Sequence, residues 1–222
     1  NGLAGAYDPV YDRFWIFCRS NTANAMKLVW ATCNATGFTN SGYSYGAYPN
    51  VSEVYGFQLA IGGNKMAAIG YYGGEVRTYS WVLDSSASGL ANPSAPKIFT
   101  IQASGADYPR SKGIYIDPTG SYWTSVYAYY SGGHYIKAAT GTIASDGTFS
   151  TGASSLFASG SANFTSYPVT LAYNTAQGKF AFCASGGSTG TVYIGLMTAT
   201  TGSSLTVLQF TDTGIASYEY WL

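Results

Sequence analysis

The sequence predicts an all-β fold, a β-propeller of four blades with about four antiparallel strands in each blade. Three observations lead to this prediction. The same order of strand and turn signals occurs four times along the 222 residues. Runs of β-branched and aromatic residues are interrupted by Gly, Asn, Ser and Pro roughly every ten residues. Apolar residues nowhere keep a helical spacing for three turns, so long helices are not expected.

Two landmarks define the repeat. The first is the turn that follows the first strand of each unit, and the second is a glycine after the third strand. Both recur at about 55 residues, and a period of this length is typical of propellers and other repeat arrays. The turn landmarks are Asp8, Gly62, Asp117 and Asn174, and the glycines are Gly37, Gly89, Gly147 and Gly202.

Each repeat predicts its strands in the same order. A first strand and its turn are read in GAYDPVYDRF, QLAIGGNKM, IYIDPTGSYW and LAYNTAQGKF. An aromatic second strand follows in FWIFC, AAIGYY, WTSVYAYY and FAFCAS, and a third in KLVWATC, VRTYSWVLD, YIKAATGTIA and VYIGLMTA. A weaker fourth strand is predicted around YSYGAY, PKIFTIQ, SSLFASG and SLTVLQF. Residues 85–96 are expected to form a loop between the third and fourth strands of the second repeat.

One domain is expected over residues 1–222, because no linker separates the repeats. Their approximate bounds are 1–54, 55–111, 112–167 and 168–222. The last residues, GIASYEYWL, resemble the entry to a new repeat, and NGLAGAY at the start has the same register. Either a four-bladed ring closes with its two ends side by side, or the chain is a window of a longer propeller or β-repeat array. We expect closure within these residues.

The charge pattern excludes some classes of partner. Only 9% of the residues are charged, against about 25% in typical soluble proteins, and the net charge is zero. The basic residues are scattered singly, whereas a nucleic-acid surface needs clusters of Lys and Arg. No apolar run reaches the length of a membrane helix. We therefore expect no nucleic acid, no membrane insertion and no cofactor, and a homo-oligomer stays open.

Apolar and sulphur-containing side chains are expected mostly in the core. The aromatic strands predict that Trp15, Trp30, Trp81 and Trp123 pack between blades. The cysteines are Cys18, Cys33 and Cys183, an odd count without metal-ligand spacing. We expect them to be small buried side chains in strands. A bridge between Cys18 and Cys33 is the alternative.

The residues needed for catalysis are scarce, so we predict no catalytic residue, no metal site and no enzyme. The single histidine, His134, is expected in a solvated loop without a cysteine or acidic neighbour. The acids are spread one or two per loop, whereas glycoside hydrolysis needs a close pair of carboxylates. Asp8 and Asp117 stand at equivalent turns, each before a proline, where an aspartate accepts hydrogen bonds from its own turn.

A surface rich in Tyr, Asn, Ser and Thr favours binding. Tyrosine rings can stack on the apolar faces of sugars, and the same residue types give protein paratopes large contact area at low entropic cost. The candidate ligand-binding residues are the tyrosines predicted in loops: Tyr43, Tyr45, Tyr48, Tyr72, Tyr108, Tyr129, Tyr130 and Tyr167.

The repeats resemble those of tail-fibre and other virion-surface proteins of tailed bacteriophages. The resemblance is carried by GAYDPVYDRFWIFCRS and by LAYNTAQGKFAFCASGGSTGTVYIGLMTATTG. It implies a propeller or propeller-like array on a virus particle that contacts the host surface, and it transfers no catalytic or binding residue. QLAIGGNKM departs from the turn motif, and the third repeat lacks the basic residue after the turn.

Three functions follow as hypotheses. The first is a non-enzymatic binding module on a virion or in the extracellular space that recognises a host-surface glycan or receptor. The second is a structural capsid or tail decoration protein that contacts other virion subunits. The third is a secreted lectin. Each hypothesis places the protein on a virion surface or outside the cell.

Overall fold

The computed structural model describes residues 3–19, 26–45, 58–91, 96–103, 112–130, 134–160, 170–186 and 191–216. These residues form an all-β structure of sixteen strands in four antiparallel sheets. Each sheet has four strands in chain order, which is the arrangement of a propeller blade. The predicted fold class, a four-bladed β-propeller with four antiparallel strands per blade, is confirmed.

The first two blades come from the first half of the chain. Blade 1 consists of β1 (Leu3–Asp8), β2 (Arg13–Arg19), β3 (Met26–Asn34) and β4 (Gly37–Tyr45). Blade 2 consists of β5 (Gln58–Gly62), β6 (Lys65–Tyr72), β7 (Glu75–Val82) and β8 (Lys97–Gln102). Of the loop predicted at 85–96, residues 85–91 and 96 are described, and they lie between β7 and β8 as expected.

The last two blades repeat this order. Blade 3 consists of β9 (Lys112–Ile116), β10 (Tyr122–Tyr130), β11 (His134–Thr142) and β12 (Ala153–Gly160). Blade 4 consists of β13 (Thr170–Asn174), β14 (Lys179–Gly186), β15 (Thr191–Thr200) and β16 (Ser204–Ala216). His134 begins β11, where its backbone pairs with Tyr130, and is thus part of a strand and not of the expected loop.

The landmark glycines have a conformational reason. Gly37 is the first residue of β4, Gly89, Gly147 and Gly202 lie between a third and a fourth strand, and all four have positive φ. Residues with a Cβ rarely adopt this conformation, so glycine is the default residue there. Gly73 and Gly74, in the turn of β6 and β7, also have positive φ, as a two-residue hairpin turn requires.

The core consists of apolar layers between consecutive blades. Trp15, Trp30 and Trp81 are buried between blades 1 and 2, and Trp123 is buried between blades 2 and 3. A third layer, which includes Val126 and Phe182, lies between blades 3 and 4. The four tryptophans therefore pack between blades, as the aromatic strands predicted.

Blades 1 and 4 each keep one apolar face in contact with solvent. On blade 1 the side chains of Phe14 and Ile16 are each 41% exposed, and on blade 4 Ile194 is 49% exposed. A closed four-bladed ring needs a fourth core, between blade 4 and blade 1. Within the described ranges the buried apolar residues form only the three layers between consecutive blades. The expected closure of the ring is therefore not found there.

The three cysteines lie in strands as expected, but the expectation that they are buried was wrong. Cys33 and Cys183 are exposed, Cys18 is half-buried, and all three thiols are free. Cys18 pairs with Lys27 and Cys33 pairs with Phe38, which places the two cysteines at opposite ends of blade 1. Six residues of β3 separate Lys27 from Cys33, a distance of about 20 Å along an extended strand. A disulfide needs Cα atoms within about 7 Å, so the alternative bridge is excluded as well.

Candidate functional site

The antiparallel blades have two chemically different ends. The turn end carries the connections between first and second strands and between third and fourth strands. The loop end is the opposite end, where second strands lead to third strands and fourth strands lead to the next blade. Contacts between turns show that all blades share this orientation. The guanidinium of Arg13 in blade 1 donates to the carbonyl oxygen of Asp84 in blade 2 at 2.9 Å.

The other pairs of consecutive blades also contact each other through their turn ends. Gly62 of blade 2 packs directly on the backbone of Asp117 in blade 3, and Gly202 of blade 4 packs on Gly141 and Gly152 of blade 3. All these residues lie in or beside the connections of the turn end. The loop ends of the four blades therefore also lie on a common side.

At the turn end, acidic and amide side chains hold their own turns. Asp8 Oδ1 accepts hydrogen bonds from the backbone N–H groups of Val10 at 2.9 Å and Tyr11 at 3.2 Å. Asn174 Oδ1 does the same for Ala176 at 3.0 Å and Gln177 at 3.2 Å. The predicted turn-capping role of Asp8 is confirmed.

Asp117 holds its turn with more contacts. Its Oδ1 accepts from the N–H groups of Ser121 at 2.6 Å and Tyr122 at 2.7 Å, and its Oδ2 accepts from that of Thr119 at 3.0 Å. The hydroxyl of Thr119 donates to Oδ2 as well. The residue is buried, so these donors replace the water that the carboxylate loses. Its predicted turn-capping role is confirmed too.

The connections between third and fourth strands use the same device. Asn34, Asp84 and Asp146 accept hydrogen bonds from backbone N–H groups two residues further along the chain. The hydrogen bonds from the Thr148 N–H and hydroxyl, together with the nearby Lys97 ammonium, lower the pKa of Asp146 to about 2. The six acidic and amide residues of the turn end described above are thus occupied by structural hydrogen bonds. In the described parts of the chain no group of three His, Cys, Asp or Glu residues is placed to hold a metal ion.

The loop end collects the tyrosines predicted to bind a ligand. Five of them have a described backbone, and it lies in the loop-end halves of strands and not in loops. Tyr43 and Tyr45 belong to β4 and oppose Val29 and Lys27, Tyr72 ends β6 opposite Glu75, and Tyr129 and Tyr130 end β10 opposite Tyr135 and His134.

The predicted loop position of these five residues was therefore wrong, whereas the strands predicted in AAIGYY and WTSVYAYY do contain Tyr72, Tyr129 and Tyr130. For Tyr43 and Tyr45 the reason is that the outer strand β4 is mostly exposed, so its polar start hides the alternation of a strand. Tyr48, Tyr108 and Tyr167 lie outside the described residues, in chain segments 46–57, 104–111 and 161–169 that follow fourth strands.

Charged and amide groups fix the surroundings of this end. Lys137 Nζ of blade 3 donates to Gln102 Oε1 of blade 2 at 3.1 Å and ties the two blades together. Glu75, opposite Tyr72, accepts from Arg77 Nε at 2.5 Å, with both side chains about a quarter exposed. The hydroxyl of Thr100 donates to the same carboxylate at 3.3 Å. These groups hold one another in place at the loop end, beside its tyrosines.

Sequence reasoning missed two features. The first is the pair of uncovered apolar faces on blades 1 and 4. The second is Arg13, a buried arginine that lies over the Trp30 ring at 4.4 Å and joins blade 1 to blade 2. Its position directly after a turn could be read from DPVYDRF, but its partners come from another repeat.

No helix among the described segments has the length and apolar character to cross a membrane.

Comparison with known proteins gives little beyond the fold. No family model and no curated protein matches the chain. Among solved structures, a chain in the crystal structure of a nidogen/laminin complex resembles it at 14% identity with a TM-score of 0.47. The match covers 94% of this chain and 64% of that one, so the chain spans less than two thirds of its neighbour. The assignment to the propeller fold rests on the four sheets themselves.

Proposed function

We propose that this propeller is a non-enzymatic binding module whose loop end recognises a host-surface glycan or receptor. In this proposal it acts on a virion surface or in the extracellular space, as the resemblance to tail-fibre repeats implies. The observation that supports it is the division between the two ends. The acids and amides of the turn end are engaged in their own turns, while the predicted tyrosines concentrate at the other end.

The loop end has the chemistry that a glycan needs. Sugar rings have apolar faces that pack on aromatic rings, and their hydroxyls accept and donate hydrogen bonds. Tyrosine offers both a ring and a hydroxyl with two rotatable side-chain angles, so little conformational entropy is lost on binding.

A structural role in a virion is the second candidate, and a separate observation favours it. The uncovered apolar faces of blades 1 and 4 are typical of surfaces that another protein covers, because monomers rarely expose contiguous apolar patches. A decoration protein would use these faces to contact other subunits. A secreted lectin would share the glycan chemistry of the first proposal but would not belong to a virion.

A glycan array tests the proposal with two variants of the chain. Tyr130→Ala removes an aromatic side chain at the loop end, and Phe38→Ala removes one that is 76% exposed at the start of β4, at the turn end. We expect wild type and Phe38→Ala to bind the same glycans. Tyr130→Ala should bind them about tenfold more weakly, which corresponds to about 1.4 kcal/mol.

The outcome separates the candidates. Absence of binding to every surface glycan at high protein concentration would contradict the adhesin and the lectin and favour the structural role. Equal loss in both variants would place the ligand elsewhere than at the loop end. Degradation of a polysaccharide would contradict the prediction that the protein is not an enzyme.

A further inference from the structure

The blades can be compared position by position along their second strands, counted from the preceding turn. At the fifth residue of the second strand, Phe17, Ile69 and Val126 are fully buried, each in the core with the following blade. The same position in blade 4 is Cys183, which is exposed. Blades 1, 2 and 3 each use this face to contact the next blade. In blade 4 the corresponding face is uncovered.

The opposite face shows the reverse pattern. At the second residue of the second strand, Met66, Trp123 and Phe180 are fully buried, each in the core with the preceding blade. The same position in blade 1 is Phe14, which is 41% exposed. The two free faces are thus the two unlike halves of the contact that recurs between consecutive blades.

We propose that a second copy of this chain covers these faces head to tail, with blade 4 of one copy packed on blade 1 of the other. In this arrangement both copies continue the series of inter-blade cores. Two such contacts, related by a twofold axis, close a ring of eight blades. Contacts between unlike faces form rings when the rotation closes and open filaments when it does not.

The side chains on the faces suit such a contact. Tyr7, Phe14 and Ile16 project from blade 1, and Ala181 and Ile194 project from blade 4, all of them exposed. Each face carries one lysine. Lys27 lies near the loop end of blade 1, where it pairs with Cys18, and Lys179 lies at the turn of blade 4.

The lysines of the two faces therefore lie at opposite ends of the blades and do not oppose each other. The chain has a net charge of zero, so two copies do not repel each other as a whole. Charge thus does not prevent the two faces from meeting.

The area favours a closed dimer over a chain of single contacts. Four strands about 4.8 Å apart and about eight residues long give a face of about 19 Å by about 26 Å, or roughly 500 Å². One contact then covers about 1,000 Å² on the two copies, which is below the range of stable interfaces, whereas two contacts cover about 2,000 Å². Only the closed arrangement reaches the range of stable complexes.

Light scattering coupled to size-exclusion chromatography tests the proposal on the whole chain. We expect a mass twice the 23.4 kDa of one chain at micromolar concentration and above. Ile16→Glu on blade 1 and Ile194→Glu on blade 4 should each give the single-chain mass, since each places a charge in both contacts. Leu156→Glu changes a residue of equal exposure on the outer strand of blade 3 and should leave the dimer intact. Circular dichroism checks that each variant is folded.

The two variants together distinguish the arrangement. If only one of them dissociates the dimer, like faces meet and the head-to-tail proposal is wrong. A single-chain mass of the wild type at every concentration contradicts the proposal, and so does a dimer that Leu156→Glu dissociates as well. A ladder of larger masses contradicts the closed ring. The proposal does not depend on a glycan ligand, so a blank glycan array leaves it unaffected.

Discussion

At the scale of single residues, the turn end depends on side chains that accept hydrogen bonds from their own backbone. Asp117 is the most heavily engaged of them, with three backbone donors and one hydroxyl on a carboxylate that is 2% exposed. Backbone N–H groups that lose their acceptor are costly to the extent that they are shielded from water, and these three hydrogen bonds are partly buried. The side chain therefore contributes to stability through the turn that it holds.

Replacing Asp117 with alanine should lower the free energy of unfolding by about 2–4 kcal/mol, because several partly buried donors lose their acceptor. Urea denaturation followed by tryptophan fluorescence measures the change. Asp146→Ala is the matched control: its exposed carboxylate accepts from the backbone N–H and the hydroxyl of Thr148 and pairs with Lys97 in an exposed salt bridge. We expect a clearly smaller loss, because water can replace these partners. Equal losses in the two variants would contradict the account of this turn.

At the scale of elements, a blade is a four-stranded sheet whose two faces pack on neighbouring blades. In β5 and β7 of blade 2 no residue is exposed, so both faces of these strands are covered. The layers meet closely at the turn end, where Gly62 touches the backbone of the next blade. A Cβ at Gly62 would lie 2.1 Å from the carbonyl oxygen of Asp117.

Gly62→Ala should therefore lower the free energy of unfolding by about 1–3 kcal/mol, since the strands of blades 2 and 3 must move apart. Thermal denaturation measures it. Gly5→Ala provides the control, because its Cβ would have a nearest neighbour at 3.4 Å, the carbonyl oxygen of Trp15. Neither glycine has a positive φ, so the comparison isolates the contact. An unchanged stability of Gly62→Ala would mean that the two turns are less tightly packed than described.

Much of each blade could be predicted from sequence, and its failures have physical causes. The inner strands alternate strongly, and their turns carry Asp, Asn and Gly with definite conformational roles. The outer strand β4 begins at Gly37 with polar residues that face solvent, so its start was missed. Cys183 reads as a core residue because it occupies the position of Phe17, but no blade covers it in this chain. The local sequence shows that a face of a blade is apolar, but it does not show which surface covers that face.

At the scale of the whole molecule, the described residues form an open array of four blades. Its three apolar layers join consecutive blades, and its first and last faces remain available for a second copy. This arrangement gives the two ends of the blades separate roles, a turn end held by hydrogen bonds and a loop end proposed for ligand recognition. The tyrosine positions could be read from the sequence, but their common side depends on the orientation that the blades share.

The reactivity of the Cys183 thiol tests the open array most directly. In a Cys18→Ala, Cys33→Ala background, a maleimide probe should label Cys183 at high dilution about as fast as an unfolded peptide, because the thiol is exposed on the free face of blade 4. A cysteine at Val126, the equivalent buried position of blade 3, in a chain with the other thiols removed, should be labelled only on unfolding. Protection of Cys183 should rise with protein concentration as a second copy covers it. Protection equal to that of the Val126→Cys variant at every dilution would show that blade 4 is covered within one chain, and would contradict the account.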